Sequence, residues 1–206
     1  LSGTSNAYSG TTTVSEGTLR AGAANAFSSS SAVSLANTGG ATLDLNSNNN
    51  TIASLAGGGT TGGNGTLGTG TLTTGGDNSS TSYGGVISGA GVLLKTGSGT
   101  LTLTGTNTYS SGTQVTGGAV SVVADANLGD SAGTLALNNG ELTTTGAFSS
   151  SRPVTLTNTG TINTGSALTL SGALTGTGGL TKAGSSTLTL SGTSNAYSGT
   201  TTVSEG

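Results

Sequence analysis

Asp125 and Asp130, five positions apart in the stretch ADANLGD, are the two residues whose type and spacing come nearest to a reactive pair. Two carboxylates at one corner can divide the work of glycoside cleavage, one protonating the leaving oxygen while the other attacks or activates water. Their neighbours point to a plainer use. Asn127 and Gly129 lie between them, and an aspartate in such company bonds its own backbone and shapes a turn. Glu16, Glu141 and Glu205 each adjoin a glycine and are expected as solvated turn residues, while Asp44 in LDLN is expected to face solvent between two inward leucines. The chain has no histidine and no cysteine, which removes the ordinary catalytic triad, the thiol nucleophile and the usual zinc site. GGDNSSTS at Gly75 resembles a calcium loop only faintly, since it occurs once and lacks the periodic aspartates of calcium-binding nonapeptide solenoids. No catalytic residue, cofactor or metal ligand is therefore expected.

The cations are as sparse as the acids. Lys95 and Lys182 each follow a leucine of core parity by two residues, so either the strand ends there and the amine snorkels outward over its stem, or a repeated cation serves binding. The structural version is favoured. Arg20 and Arg152 stand alone, and four basic residues with a net charge of −3 cannot form a phosphate track, so nucleic acid is excluded as a partner. Tyr8, Tyr109 and Tyr197 occupy equivalent places in a repeated motif and are candidate carbohydrate platforms. The competing role for such a tyrosine is to close a corner, ring packed and hydroxyl wet.

The elements that must position these residues are short strands. TLTLTG at Thr100, AVSLAN at Ala32, GTLALN at Gly133 and ALTLSG at Ala167 place an apolar residue at every second position. That period sends Leu, Val and Ala to one face and Thr, Ser and Asn to the other. Helices are not expected, because glycine and β-branched threonine are poor helix formers and no apolar stripe recurs at three-to-four spacing. A sandwich of this size must fill a layer roughly 10 Å thick, yet the chain offers only two Phe and four Tyr. A parallel β-solenoid needs less, since each coil adds two or three inward Leu, Val or Ala to a thin column. The expected fold is all-β, a parallel solenoid with coils of roughly 20 residues.

Repetition supports a rod. LSGTSNAYSGTTTVSEG runs from Leu1 and returns unchanged from Leu190, 189 positions on, so the chain reads as one tandem unit (1–189) plus the first 17 residues of the next (190–206). A weaker repeat divides the unit: Leu93, Lys95, Gly97, Leu101 and Leu103 lie 87 positions before Leu180, Lys182, Gly184, Leu188 and Leu190. The half-units span about 2–103 and 104–190 of a single continuous solenoid. The larger carries its surplus between Leu55 and Gly85, expected as an extra coil or a loop.

The stretch GGLTKAGSSTLTLSGTSNAYSGTTTVSEG, from Gly178 to Gly206, and its partner from Gly91 to Gly118 closely resemble the autotransporter passenger-associated repeat. Lysine, tyrosine and several glycines fall in register in both copies. Ser186 departs from the usual glycine before TLTL, and TSNAYSG replaces an N-T-Y-x-G form, which affects turn geometry. The resemblance implies a right-handed parallel β-helix in the passenger of a large Gram-negative surface protein, exported through a C-terminal membrane barrel. Neither a barrel nor a signal peptide is visible, and no apolar run of about 18 residues exists to span a membrane. The segment is expected to lie mid-passenger, at the cell surface or secreted.

Three functions from different classes fit such a chain. A structural or adhesive rod gains reach by repetition, forming a filament that extends or joins cells, with neighbouring repeats as end-to-end partners and surface glycans or other cells beyond them. A binding module for glycans, or for ice, would use the Tyr and Asn positions or regular threonine rows. A polysaccharide-acting solenoid enzyme needs a unique cleft, which sits badly with a motif that recurs. The rod is the expected function, with no enzymatic activity.

Overall fold

The computed structural model describes residues 1–206. The chain coils as a three-faced prism in which every strand pairing is parallel. One face is a ten-stranded sheet running from Thr12–Val14 at one end to Thr201–Val203 at the other, one strand per coil. A second face is an eight-stranded sheet from Asn50–Thr51 to Ala196–Tyr197. The third face is broken. Four strands, from Thr18–Arg20 to Ile87–Ser88, form one part, and three, from Phe148–Ser150 to Leu188–Leu190, form the other.

The alternation read from the sequence explains the two long sheets. In Thr100–Leu103 the leucines point inward and the threonines outward, and Leu101 stands beside Val120 of the next coil, as Val120 stands beside Leu142 of the one after. The resulting column is a single cluster of 33 buried apolar residues, mostly Leu, Val and Ile. Small corner residues let the coils turn. At Gly57 the backbone has φ +86° and a side chain would collide with the Leu35 carbonyl of the preceding coil, so only glycine fits.

The surplus in the larger half-unit is a coil. Ser54–Gly57, Asn64–Thr66, Thr71–Thr74 and Thr81–Tyr83 complete a full circuit in register with their neighbours. No α-helix is present; one 3-10 turn, Asp125–Leu128, replaces a strand where the third face is broken. No helix is long and apolar enough to cross a membrane.

Candidate functional site

Each internal motif copy folds into the same three hydrogen-bonded devices. The first is a lysine held by carbonyls. Lys95 enters the core with leucine parity, then its Nζ donates to the carbonyls of Thr96 at 2.5 Å and Gly97 at 3.1 Å. Lys182 repeats this with Ala183 at 3.0 Å and Gly184 at 2.6 Å, and adds the Glu205 carbonyl of the following coil at 2.8 Å. Gly97 and Gly184 have φ of +67° and +76°, which turns the chain back over the amine. The expectation that these lysines snorkel to solvent is corrected: Lys95 is 1% exposed and Lys182 7%. The carbonyls that end the strand supply partners inside, so the ammonium need not reach water. Burial lowers the pKa of Lys95, and the nearby charge of Asp77 partly opposes this. Burial raises the pKa of Asp77, but hydrogen bonds from Ser54, Ser79 and backbone amides outweigh it and leave that carboxyl below its ordinary value.

The second device is an asparagine that reaches back one coil. Asn107 Oδ1 accepts the Ile87 amide at 2.7 Å, and Asn195 Oδ1 accepts the Leu174 amide at 3.0 Å. The third joins tyrosine to the threonine four residues on, Tyr109 to Thr113 and Tyr197 to Thr201, both at 2.6 Å.

The three candidate tyrosines do not form one surface. Tyr109 is fully buried, with burial pushing its hydroxyl pKa up to about 12, whereas Tyr8 is 38% exposed and Tyr197 is half-buried. Tyr8 lies at the opposite end of the prism from Tyr197, so no row of rings faces solvent.

The charged residues are similarly committed. Asp125 and Asp130 face separate partners: Asp130 Oδ1 accepts the Ala132 amide at 2.9 Å, and Asp125 Oδ1 accepts Arg152 Nε at 2.8 Å. The turn role fits Asp130, but Asp125 is one half of an ion pair. Arg152, expected to stand alone, is 1% exposed, and its guanidinium also donates to the carbonyls of Asp125, Leu128, Gly129, Asp130 and Gly133. It fills the break in the third face, where a loop and a 3-10 turn leave carbonyls without strand partners. Asp44 is also corrected. It points outward between Leu43 and Leu45 but is only 8% exposed, because Arg20 of the neighbouring coil pairs with it at 2.7 Å and the Asn46 amide donates to it. Glu141 begins a strand rather than sitting in a turn, and accepts from Thr143 at 2.7 Å and Asn163 at 3.0 Å. No group of three or more acidic side chains gathers to hold a metal ion.

Sequence reasoning passed over two buried groups. Tyr83 is fully buried with its hydroxyl donating to the Gly63 carbonyl at 2.6 Å, and Asn127 bonds the Val123 and Ala124 amides. The parity of Tyr83 in TSY, inward by alternation, was the available signal for the first. The larger of two cavities, about 600 Å³, opens at a corner beside the extra coil and is lined by Thr60, Thr61, Asn64, Ser82, Thr104 and Thr106 among glycines.

The lysine, asparagine and tyrosine devices recur where a known family matches. The passenger-associated-transport-repeat family covers residues 1–21, 93–122 and 180–206. This chain carries passenger-associated transport repeats. A curated relative, described as an adhesin BmaC autotransporter from Brucella suis biovar 1 (strain 1330), is 41% identical over 154 residues, 69% of this chain. The chain spans 4% of that relative's length. No solved structure matches it. The repeats' lysine, asparagine and tyrosine thus have a geometric role here: they tie each coil to its neighbours and to the turns that bound it.

Proposed function

We propose that this chain is a length of adhesive or spacing rod in the passenger of a bacterial surface protein, non-catalytic, displayed outside the cell or secreted, with successive repeats as its first partners. One observation carries the reading: the ten-stranded sheet has one strand per coil from end to end, and the same 17 residues form both of its outermost coils. Nine intervals between ten strands correspond to a rod of roughly 43 Å. The adhesin name of the relative supports a role in attachment. The separate engagement of Asp125 and Asp130 speaks against a paired-acid enzyme.

The test is to join one, two and three 189-residue units and measure maximum dimension by small-angle X-ray scattering. Each added unit should lengthen the particle by roughly 43 Å, and cells displaying longer arrays should attach or clump more. A dimension that stops growing after one unit would refute the rod.

A second reading, contact with neutral glycans, is favoured by the corner cavity, whose hydroxyls and Asn64 carry no net charge and suit sugar hydroxyls. Tyr8 and Tyr197, the less covered of the three rings, would add stacking surfaces. Amide shifts at residues 57–64 and 104–106, or separately around Tyr8 and Tyr197, on titrating neutral oligosaccharides would support it, and unmoved spectra would end it.

A further inference from the structure

Hydroxyls just past a strand are, over most of the prism, spent on the preceding coil. Thr145 donates to the Val122 carbonyl through both its amide and its hydroxyl, at 2.9 and 3.2 Å. Thr96, Thr116, Ser171 and Ser191 give their hydroxyls to the preceding coil in the same way. Thr104 holds the place of Thr145 one coil pair earlier, and its amide makes the matching bond to the Tyr83 carbonyl at 3.0 Å. Its hydroxyl bonds nothing in the chain. Thr60, Thr61, Ser82 and Thr106, which line the same corner cavity, keep their hydroxyls free as well. Asn64 commits only Oδ1, to the Val86 amide at 2.9 Å, so its Nδ2 remains a free donor.

The cavity is a step in the corner. Residues 58–63 form a long turn between Ser54–Gly57 and Asn64–Thr66, whereas only residues 84–86 join Thr81–Tyr83 to Ile87–Ser88 in the next coil. The wide turn overhangs the tight one. Asn37 Oδ1 braces the overhang by accepting the amides of Thr61 and Gly62 at 2.9 and 3.2 Å. At the other end Asn127 Nδ2 donates to the Gly105 carbonyl at 2.9 Å. Glycine lies on the floor in three successive coils, at Gly58, at Gly84 with Gly85, and at Gly105. A side chain at Gly85 would strike the Gly63 carbonyl, and one at Gly105 the Gly85 carbonyl, so backbone makes the floor. The volume is about 600 Å³ and no lining residue is charged.

We propose that this cavity is a subsite for an extended, linear, neutral glycan lying along the rod axis, with one sugar ring over each of three coils. The proposal rests on the glycan reading of the corner cavity given above and adds the form, direction and length of the chain bound. Three coils span two strand spacings, roughly 10 Å. Successive rings of an extended hexose chain follow at close to one strand spacing, so the free hydroxyls of Thr60 and Thr61, then Ser82, then Thr104 and Thr106 recur in step with them. Hydroxyl and amide groups can both give and take the hydrogen bonds of sugar hydroxyls. The lining holds no aromatic ring for one sugar to stack on, so affinity must build ring by ring. The braced walls need little further ordering when the chain binds.

Titrating the full chain with glucose, cellobiose, cellotriose and cellopentaose tests this by calorimetry and amide spectra. Affinity should rise about tenfold from glucose to cellotriose and gain nothing more with cellopentaose. Cellotriose should move the amides of residues 58–61, 84–86 and 104–106 together. Maltotriose, equal in size but curled, should bind no better than glucose. Thr104→Val with Thr106→Val keeps the shape of two exposed side chains, and should return cellotriose to the affinity of cellobiose while leaving the thermal melt unchanged. Gly84→Ala puts a methyl 3.2 Å from Thr104 Oγ1 and 3.3 Å from the Gly58 carbonyl, inside the cavity, and should block all three sugars. Equal affinity for glucose and cellotriose, equal affinity for maltotriose and cellotriose, or indifference to these variants would overturn the axial chain while shifts at the corner kept the glycan reading alive. Shifts around Tyr8 and Tyr197 alone would overturn it and move that reading to the rings. Unmoved spectra with every sugar would end both.

Discussion

Residues 93–122 and 180–206 are two copies of one repeat at different heights on the prism. Their hydrogen bonds are nearly the same. Lysine Nζ reaches the next two carbonyls, asparagine accepts an amide from the coil before, and tyrosine bonds a threonine four residues on. Their burial is different. Leu103 and Tyr109 are fully buried, whereas Leu190 and Tyr197 are half-buried and Val203 is open. Most of these bonds come from spacing within a copy and from the coil that precedes it, whereas full apolar burial needs a coil on each side: Val14 is covered by its successor, but Tyr8, with a following coil only, is 38% exposed. A repeat of this kind is held in place by its own sequence and stabilised by the coils on either side, which is the nearest-neighbour behaviour expected of a solenoid.

The sharpest way to break that comparison is to truncate matched leucines. Leu103→Ala removes a fully buried side chain and should cost about 3 kcal/mol. Leu190→Ala, half-covered, should cost under about 1 kcal/mol. Urea unfolding of the two variants measures the difference directly, and equal losses would mean that the terminal copy is already packed as the internal one is.

Alkali gives a slightly smaller effect with a defined sign. The Tyr109 pKa rises from 10.0 to about 12 on burial, so the folded chain holds this proton more tightly than the unfolded chain. Stability is therefore full below pH 10 and falls as pH rises toward 12, by about 2–3 kcal/mol. Tyr83, also raised by burial, adds loss of the same sign. Thermal melts across this range should show the decline, and Tyr109→Phe should flatten it; an unchanged slope in that variant would place the responsible group elsewhere.

The asparagine pair comes next. Asn107→Ala leaves the buried Ile87 amide and Asn127 carbonyl without partners and should cost about 2 kcal/mol. Asn195 is exposed, so water can replace it at the Leu174 amide and Asn195→Ala should cost about half as much. Hydrogen exchange at Ile87 and Leu174 reads each site separately.

Local pattern carried the fold further than it carried the site. Alternation in TLTL and AVSL placed strands and their inward faces, and the shortage of aromatic residues pointed to coils in place of a sandwich. The stretch from Leu55 to Gly85 could be read as coil or loop, because glycine and threonine suit both; pairing to neighbouring coils decides for a coil. Polar burial was less legible for one reason. Alternation assigned Lys95 to the inside but could not show carbonyls waiting there. Arg152 finds Asp125 27 residues back, and Asp44 finds Arg20 24 residues back. Partners one coil or more apart follow from how coils stack, and no local window contains both.

The smallest contrast concerns the tyrosine hydroxyls, and it separates the two sources of stability most cleanly. Tyr109→Phe keeps the ring and removes only the bond to Thr113, whose hydroxyl also donates to the Leu128 carbonyl at 3.2 Å. A buried hydrogen bond of this kind is worth about 1 kcal/mol. Tyr197→Phe removes the same 2.6 Å bond to Thr201, but that pair is exposed and water can take the place of either hydroxyl, so the loss should be about 0.3 kcal/mol. Joining a following unit to Gly206 should then raise the Tyr197→Phe loss toward that of Tyr109→Phe, because the new coil would cover the same pair. Measured in one-unit and two-unit chains by urea unfolding, a loss that stays small in both would show that the successor coil adds no burial, and the division of labour between sequence and stacking would fail.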